Sequence, residues 1–194
     1  VAANTAIAGS PDDVAVGDFN GDAKPDLAVV LNQANQVAIR LGDGNGGFLG
    51  TPPANVDVQT TPQNVAIGDF NGDKIADLAV TNYVNNTVSL RPGKGDGTFL
   101  AGTELPVLGQ PIGVALVDVN GDGKPDLLIG ANSGTNVGLH LGAGNGTFGT
   151  VSNQATGDGP RYTALFDING DGKIDFVSAN TNSNTVSVRL GNGT

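Results

Sequence analysis

The residues with the clearest chemical potential are aspartates and asparagines that recur in one short pattern. In its first copy, positions 1, 3, 5 and 9 are Asp18, Asn20, Asp22 and Asp26, and position 7 offers the main-chain carbonyl of Lys24. Hard divalent cations are bound by several oxygen ligands that converge from a short, sharply bent segment. The pattern therefore predicts a metal-binding loop of nine residues.

The same loop returns three more times along the chain. Its first aspartates are separated by 51, 49 and 49 residues. The matching ligands, with the position 7 carbonyl named last in each set, are Asp69, Asn71, Asp73, Asp77 and Ile75; Asp118, Asn120, Asp122, Asp126 and Lys124; and Asp167, Asn169, Asp171, Asp175 and Lys173. Calcium is expected rather than magnesium, because the ligands are numerous and all come from protein. We therefore predict up to four bound Ca²⁺ ions.

Two other structures are possible for these loops. An EF-hand needs a glutamate at position 12 and helices on both sides, whereas position 12 here is Val29, Val80, Ile129 or Ser178. A set of simple turns is the second alternative, because Asp, Asn and Gly all favour turns. Turns explain one loop, but metal binding explains better why the same oxygen positions recur in four loops.

The four loops differ at position 6, where a sharp turn favours glycine. This position is glycine in the last two loops, at Gly123 and Gly172, but it is Ala23 and Lys74 in the first two. A residue other than glycine with positive φ carries an energetic cost. We therefore expect the first two loops to bind calcium more weakly than the last two.

The charge balance narrows the possible partners. The net charge is −10, and twelve of the 19 acidic residues lie in the four loops. Three carboxylates in one short loop repel one another strongly unless a cation is bound, and four Ca²⁺ ions would leave a net charge of about −2. Such an acidic chain is unsuited to nucleic acid. Membrane insertion is not expected either, because no apolar run approaches about 18 residues.

The loops lie in repeats of about 50 residues that predict short strands. A second, glycine-rich signature follows each loop, as in Leu41 to Phe48, and it is truncated in the last repeat at Leu190 to Thr194. The residue pattern of each repeat predicts four short strands, and no segment shows a sustained helical period. Four strands per repeat are typical of a propeller blade. We therefore predict an all-β protein, a β-propeller of four four-stranded blades.

The blade boundaries predict a single repeat domain over residues 1–194. The repeats cover approximately residues 11–60, 61–110, 111–159 and 160–194, the last together with 1–10. Residues 1–10 occupy the register of a fourth strand, while the last repeat stops before its own. This segment is therefore available to close the last blade, or to pair with a neighbouring molecule through an open strand edge.

These repeats resemble a known family. Asp18-Phe19-Asn20-Gly21-Asp22 with Pro25-Asp26-Leu27, and Gly144-Asn145-Gly146-Thr147-Phe148, are similar to FG-GAP (VCBS-type) repeats. Such repeats occur in integrin α-subunit propellers and in many bacterial and fungal secreted proteins. The resemblance implies blades with calcium in the loop between the first two strands, and roles in adhesion, protein binding or glycan binding. The family's usual ring has seven blades, whereas this chain has four.

Other candidate sites carry less weight. The glycine-rich runs are followed by phenylalanine and a strand rather than by the helix a phosphate loop needs. We interpret them as turns, with Phe48, Phe99 and Phe148 as core anchors between blades. A basic residue recurs in one register of the third strands, at Arg40, Arg91, His140 and Arg189. We favour a solvent-facing position for these side chains over a site for anionic or sugar groups.

The sequence predicts a noncatalytic extracellular module that binds a protein or glycan ligand, with calcium stabilising each blade. It is not expected to be an enzyme, because His140 is the single histidine and the paired carboxylates are taken by metal. Alternatives are a lectin with sites at the inter-blade loops and a self-assembling unit that forms homo-oligomers through open blade edges. Weak calcium sites, with Kd of roughly 10⁻⁴–10⁻³ M, would be filled outside cells, which predicts a secreted protein.

Overall fold

The computed structural model describes residues 6–50 and 52–193, and within these residues the chain forms fifteen β-strands and no helix. In chain order they are β1 Pro11–Gly17, β2 Asp26–Leu31, β3 Gln36–Arg40, β4 Val56–Asp57, β5 Pro62–Gly68, β6 Asp77–Asn82, β7 Thr87–Arg91, β8 Thr103–Pro106, β9 Pro111–Val117, β10 Asp126–Ala131, β11 Asn136–His140, β12 Ser152–Ala155, β13 Pro160–Phe166, β14 Asp175–Asn180 and β15 Thr185–Arg189. No helix long and apolar enough to cross a membrane occurs in these ranges.

Each repeat folds into its own antiparallel sheet. The strand orders are β1-β2-β3-β4, β5-β6-β7-β8, β9-β10-β11-β12 and β13-β14-β15, so every strand pairs with its neighbour in sequence. Short strands with turn residues between them favour this meander, because tight turns suffice to join antiparallel strands. The all-β prediction and the prediction of one sheet per repeat are confirmed.

The fourth sheet shows three strands among the described residues, and the series of sheets is open. The predicted closing segment is only partly described, since residues 1–5 lie outside the described ranges. Residues 6–10 form no strand and lie against the first sheet, where Ile7 packs on Val29 and Leu31. The N–H of Asn32 also donates to the carbonyl of Ser10 at 3.1 Å. Residues 6–10 therefore do not complete the last sheet, and a closed propeller is not seen.

The first strands of neighbouring sheets lie against one another and hold the repeats in register. In β1, Asp13 Oδ2 accepts hydrogen bonds from Asn64 Nδ2 at 2.6 Å and from the N–H of Val65 at 2.9 Å. Asn64 Oδ1 in turn accepts the N–H of Val114 at 2.8 Å. In each of the first two repeats, one polar side chain therefore reaches the next first strand and fixes its position; the corresponding residue of the third repeat is Gly113.

The core lies between successive sheets, where strands two and three bury their apolar side chains. Val37 and Ile39 of the first sheet pack with Leu78 and Val80 of the second, and all four are fully buried. Two further clusters join the second repeat to the third and the third to the fourth in the same way. Because each of these three clusters takes side chains from two repeats, a single repeat cannot bury its own apolar face, as in other repeat proteins.

Aromatic pairs join successive repeats beside this core. Phe19 packs edge-on against Phe99 with ring centroids 5.7 Å apart, and Phe70 packs against Phe148 at 6.0 Å. Such edge-to-face pairs are favourable beyond the area they bury. Phe99 and Phe148 are therefore anchors between repeats, as the sequence predicts.

Candidate metal loops

The four Asp loops occupy the same place in every sheet, between its first and second strands. They cover residues 18–26, 69–77, 118–126 and 167–175, and position 9 is the first residue of β2, β6, β10 or β14. The structure thus brings all the predicted ligands of one repeat into one connection. It keeps the four sets apart, one to each sheet.

Each loop is folded by hydrogen bonds from its own backbone to the predicted ligand side chains. In the third loop, Asp118 Oδ2 accepts the N–H of Gly123 at 2.8 Å, and Asn120 Oδ1 accepts the N–H of Asp122 at 3.0 Å. Asp122 Oδ1 accepts the N–H of Lys124 at 3.0 Å. The same three bonds form in the other loops. Positions 1, 3 and 5 therefore bend the chain into the compact shape that the spacing predicts.

The sharp turn at position 6 is present in every loop. The φ angle is 61° at Ala23 and 68° at Lys74, and it is 82° at Gly123 and 81° at Gly172. Positive φ strains a residue that carries a Cβ atom, whereas glycine adopts it freely. The first two loops therefore carry the backbone strain that the sequence predicts, while their relative calcium affinity stays a prediction.

The aspartate at position 9 has a structural role that sequence reasoning missed. Asp26 is fully buried; its Oδ2 accepts the N–H of Phe19 at 2.8 Å and its Oδ1 accepts the N–H of Gly42 at 2.7 Å. The equivalent aspartates of the other repeats make the same pair of bonds. One carboxylate therefore joins the start of the Asp loop to the glycine-rich turn after the third strand.

The close approach of loop and turn explains one glycine of the second signature. A Cβ atom at Gly42 would clash with the carbonyl oxygen of Pro25, and one at Gly142 would clash with that of Pro125. Gly93 and Gly191 are equally confined by the carbonyls of Ala76 and Ile174. The turn glycine therefore allows the Asp loop and the turn to touch.

The buried and exposed carboxylates of a loop differ in their electrostatics. Burial raises the pKa of Asp77 from 3.8 to about 6, against the hydrogen bonds from the N–H groups of Gly93 and Phe70, and the nearby charges of Asp73 and Asp69 raise it further. Carboxylates held close together disfavour one another's ionised form. The metal-free loop therefore carries the mutual repulsion that its sequence predicts.

The exposed carboxylates are partly neutralised from within the loop. The N–H of Lys24 lowers the pKa of Asp22, and Lys24 Nζ lies 3.1 Å from Asp22 Oδ2. Lys124 makes the same contact with Asp122 at 3.5 Å. Surface pairs of this kind contribute little to stability. The lysines at position 7 therefore offset part of the negative charge of the aspartates at position 5.

The oxygen atoms of each loop determine whether it can bind a cation. Among residues 6–50 and 52–193, no three acidic or histidine side chains converge on one point that could hold a metal ion. The predicted set mixes three carboxylates with an amide and a carbonyl, all of them the hard oxygen ligands that calcium takes. The donor set fits calcium in kind, and calcium binding itself stays a prediction.

The basic residues that share a register of the third strands do not all face solvent. Arg91 is 8% exposed, and its Nε donates to the carbonyl of Asp57 in the preceding repeat at 3.0 Å. Arg189 Nε reaches the carbonyl of Ala155 in the same way at 2.6 Å. His140 is 5% exposed. The expectation of solvent-facing side chains is wrong for Arg91 and His140, and both arginines link successive repeats.

Solved structures share this fold at low sequence identity. A functionally unknown protein from Desulfotomaculum acetoxidans aligns with a TM-score of 0.63 and 16% identity, over 95% of this chain and 57% of that one. A protein from Lactobacillus plantarum aligns with a TM-score of 0.56 and 14% identity, over 93% and 55%. BBS1N, solved in complex with ARL6DN, gives a TM-score of 0.57 and 14% identity, over 91% and 53%. This chain therefore spans a little over half the length of these proteins.

The sequence itself identifies the repeats. No curated protein matches the chain. It matches the FG-GAP-like repeat over residues 18–80 and 69–129, and the FG-GAP repeat over residues 111–153. These ranges cover more than half of the sequence and include three of the four Asp loops. The chain therefore belongs to the FG-GAP repeat family.

Proposed function

We propose that this chain is a noncatalytic ligand-binding module of an extracellular protein, and that calcium bound in its Asp loops stabilises the contacts between repeats. FG-GAP repeats suggest ligand-binding repeat domains, are generally noncatalytic and are typical of extracellular proteins. In this proposal the four sheets are consecutive blades of a β-propeller. The ligand is a protein or a glycan that contacts the surface of the repeats.

The observation that carries the calcium role is the place of the loops at the seams between repeats. The carbonyl of Phe19 in the first loop accepts the N–H of Gly97 in the second repeat at 2.8 Å. The carbonyl of Phe70 in the second loop accepts the N–H of Gly146 in the third repeat at 3.1 Å. A cation that rigidifies a loop therefore also fixes the turn of the next repeat against it.

Charge supports the same proposal. Three carboxylates in each loop oppose folding of the loop, and a divalent cation would remove that repulsion. The ligands would be the side chains at positions 1, 3, 5 and 9 and the carbonyl at position 7. Because such loops in extracellular modules have Kd values of about 10⁻⁴–10⁻³ M, they are filled where calcium is in the millimolar range. Weak sites of this kind favour a secreted location.

Thermal melting in calcium and in chelator tests the calcium role. A cation that binds only the folded chain must raise its melting temperature, so we expect a clear drop when calcium is removed. Asp122→Ala should bind fewer calcium ions by titration calorimetry and lose part of the calcium-dependent stabilisation. Asp12→Asn, outside the loops, is the matched control. An unchanged melting temperature in chelator would exclude the calcium role.

A second candidate function, self-assembly, is favoured by one observation on the fourth sheet. Its outer strand β15 exposes Val186 at 66%, Val188 at 49%, and the following Leu190 is exposed at 60%. A continuous exposed apolar face is typical of an interaction surface. A second copy of this chain could cover it as successive repeats cover one another. Sedimentation velocity tests this candidate, and we expect the sedimentation coefficient to rise with protein concentration. A chain that stays monomeric at all accessible concentrations would exclude self-assembly.

A further inference from the structure

A cavity of about 420 Å³ lies between the end of the second repeat and the third sheet. Its apolar walls come from Val107 and Leu108 after β8, from Ile129 of β10, and from Val151 before β12. Cavities of this size bind small molecules, usually by apolar walls with a few polar groups that set orientation. None of the predicted ligands of the third repeat, the last of which is Asp126 at the start of β10, is among its lining residues.

The third repeat lacks a set of interlocking side chains that the second repeat has at the corresponding positions, and the cavity lies where they would be. In the second repeat Asn82 Nδ2 donates to Ser89 Oγ at 2.9 Å, and Ser89 Oγ donates to Glu104 Oε2 at 2.7 Å. Glu104 in turn pairs with Arg91 at 2.5 Å. These four side chains fill the space between strands two, three and four of that sheet.

The third repeat has a smaller residue at each of the four positions. Strand pairing aligns Gly138 with Asn153 as it aligns Ser89 with Glu104, and Leu127 with His140 as it aligns Leu78 with Arg91. The four replacements all line the cavity, and they are Ala131, Gly138, Asn153 and His140. The fourth repeat has the first pair, with the side-chain amide of Asn180 hydrogen-bonded to Ser187 Oγ at 2.8 Å. The first repeat has Leu31 and Ala38 where the third has Ala131 and Gly138, so the side chains at these two positions are smallest in the third repeat.

His140 gives the cavity one defined hydrogen-bonding group. Its side chain is buried, with 5% exposure, and its Nδ1 lies 2.9 Å from the carbonyl oxygen of Gly149. A carbonyl only accepts, so Nδ1 carries the proton, and in the neutral ring Nε2 is then an acceptor. Nε2 has no hydrogen-bond partner among the described residues. Nε2 is not among the buried side-chain atoms left without a partner, so it is open to the solvent in the cavity. A ligand hydroxyl that donates to Nε2 would replace the hydrogen bond that water makes there.

We propose that this cavity binds a small, largely apolar molecule that carries one hydroxyl group, such as a fused aromatic alcohol. The rings contact the apolar walls, and the hydroxyl donates a hydrogen bond to His140 Nε2. Ser133, Asn136 and Asn153 also line the cavity, but apolar atoms form most of its surface, which favours a ligand with few hydroxyls over a free sugar. The proposal rests on the ligand-binding role of the module and is independent of calcium in the loops.

The probe is 2-naphthol, and the reporter is the ring of His140, which is the chain's single histidine and therefore gives one assigned pair of imidazole signals in NMR. We expect saturable shifts of these signals on titration. Gly138→Val should abolish them by filling the cavity. A Cβ atom at Gly138 meets its nearest neighbour, Val151 Cγ2, at an ordinary 3.4 Å, and Gly138→Ala is a milder filler should valine impair folding. Val188→Thr, on the exposed β15, is the matched control and should bind as the parent does.

The hydroxyl contact is tested with naphthalene, which lacks the donor. The parent chain should bind 2-naphthol roughly 2–10-fold more tightly than naphthalene, as one net hydrogen bond allows. His140→Phe, followed by the fluorescence of the probe, should bind both compounds equally. Absence of saturable shifts, or equal binding by the parent and both Gly138 variants, would overturn the proposal. If the parent chain binds 2-naphthol no more tightly than naphthalene, the proposed role of His140 is wrong.

Running the titration with calcium and with chelator separates this proposal from the calcium role. Binding of 2-naphthol in both buffers, together with an unchanged melting temperature, would sustain the cavity and exclude calcium. A calcium-dependent melting temperature without any 2-naphthol binding would support the calcium role and exclude the cavity proposal.

Discussion

The buried aspartate at position 9 differs from the other acidic residues of its loop in what it contacts. Asp126 is fully buried between two N–H donors, those of Val119 at 3.0 Å and Gly142 at 2.8 Å. Each carboxylate oxygen therefore has its own backbone partner. This arrangement fixes the loop against the turn.

We expect Asp126→Asn to lower the free energy of unfolding by about 1–3 kcal/mol, because the amide nitrogen would face one of the two N–H donors and leave it unpaired. Urea denaturation in metal-free buffer measures this change without interference from calcium. Asp122→Asn is the matched control, since position 5 is more exposed and an amide oxygen can still accept the N–H of Lys124. Equal losses in the two variants would contradict a special role for position 9.

The raised pKa of Asp77 predicts how the metal-free chain responds to pH. Its pKa is about 6 in the folded chain against 3.8 ordinarily, so between these values the folded state binds a proton that the unfolded state does not. Stability then rises as pH falls. We expect the metal-free chain to become harder to unfold by urea from about pH 7 to about pH 5. Calcium-dependent stabilisation should shrink over the same range, because protons and calcium compete.

Asp77→Asn provides the control for this pH dependence. The variant lacks the titrating group, so its free energy of unfolding should change less between the two pH values than that of the parent. Asp126 shifts in the same direction, again chiefly through burial, so some dependence will remain. A metal-free parent that loses stability on this mild acidification would contradict the assignment.

At the residue scale, the sequence predicted what is local and missed what is distant. The oxygen positions, the bend and the positive φ at position 6 follow from nine consecutive residues, and all are present. The second partner of each position 9 aspartate lies sixteen residues away, as for Asp26 and Gly42. That spacing is the same in all four repeats. This constant spacing between aspartate and glycine could have predicted the contact. It was missed because the predicted pattern covers only the nine residues of the loop.

The contact between Asp loop and glycine-rich turn makes a prediction at the scale of these elements. Gly142→Ala should destabilise the chain by about 1–3 kcal/mol, since its Cβ would press on the carbonyl of Pro125 and force the two segments apart. Gly149→Ala is the matched control in the same turn, because its Cβ would meet only the carbonyl of Leu141, at 3.5 Å. Thermal melting of both variants measures the difference, and equal melting temperatures would show that the turn is free to move.

The roles of third-strand side chains could not be predicted from the repeat pattern. Arg91 and His140 share a register, yet Arg91 reaches the carbonyl of Asp57 in the preceding repeat while His140 bonds to Gly149 in its own. The pattern gives the register of a residue but not the length and charge of the side chains that surround it. The order of the strands in each sheet was easier to predict, because short strands joined by tight turns leave few alternatives to a meander.

For the whole molecule, the repeat period predicted one sheet per repeat because each unit needs a neighbour to cover its apolar face. It did not predict how the series ends. Residues 6–10 pack beside Leu31 on the first sheet, while the apolar side chains of Val186 and Val188 stay exposed on the fourth. Closure depends on the rotation between successive sheets, and that rotation arises from packing at every seam rather than from the motif.

The net charge makes a prediction that belongs to the whole molecule. With a net charge of −10, the compact chain is destabilised by self-repulsion, and salt screens that repulsion as the Debye length falls from about 30 Å at low ionic strength to about 8 Å. We expect the melting temperature of the metal-free chain to rise over this range in sodium chloride. Potassium chloride should give the same rise if screening is the cause. The calcium-loaded chain should respond less, because four bound ions would leave a net charge of about −2. A melting temperature that falls with salt would show that self-repulsion does not limit the stability of the metal-free fold.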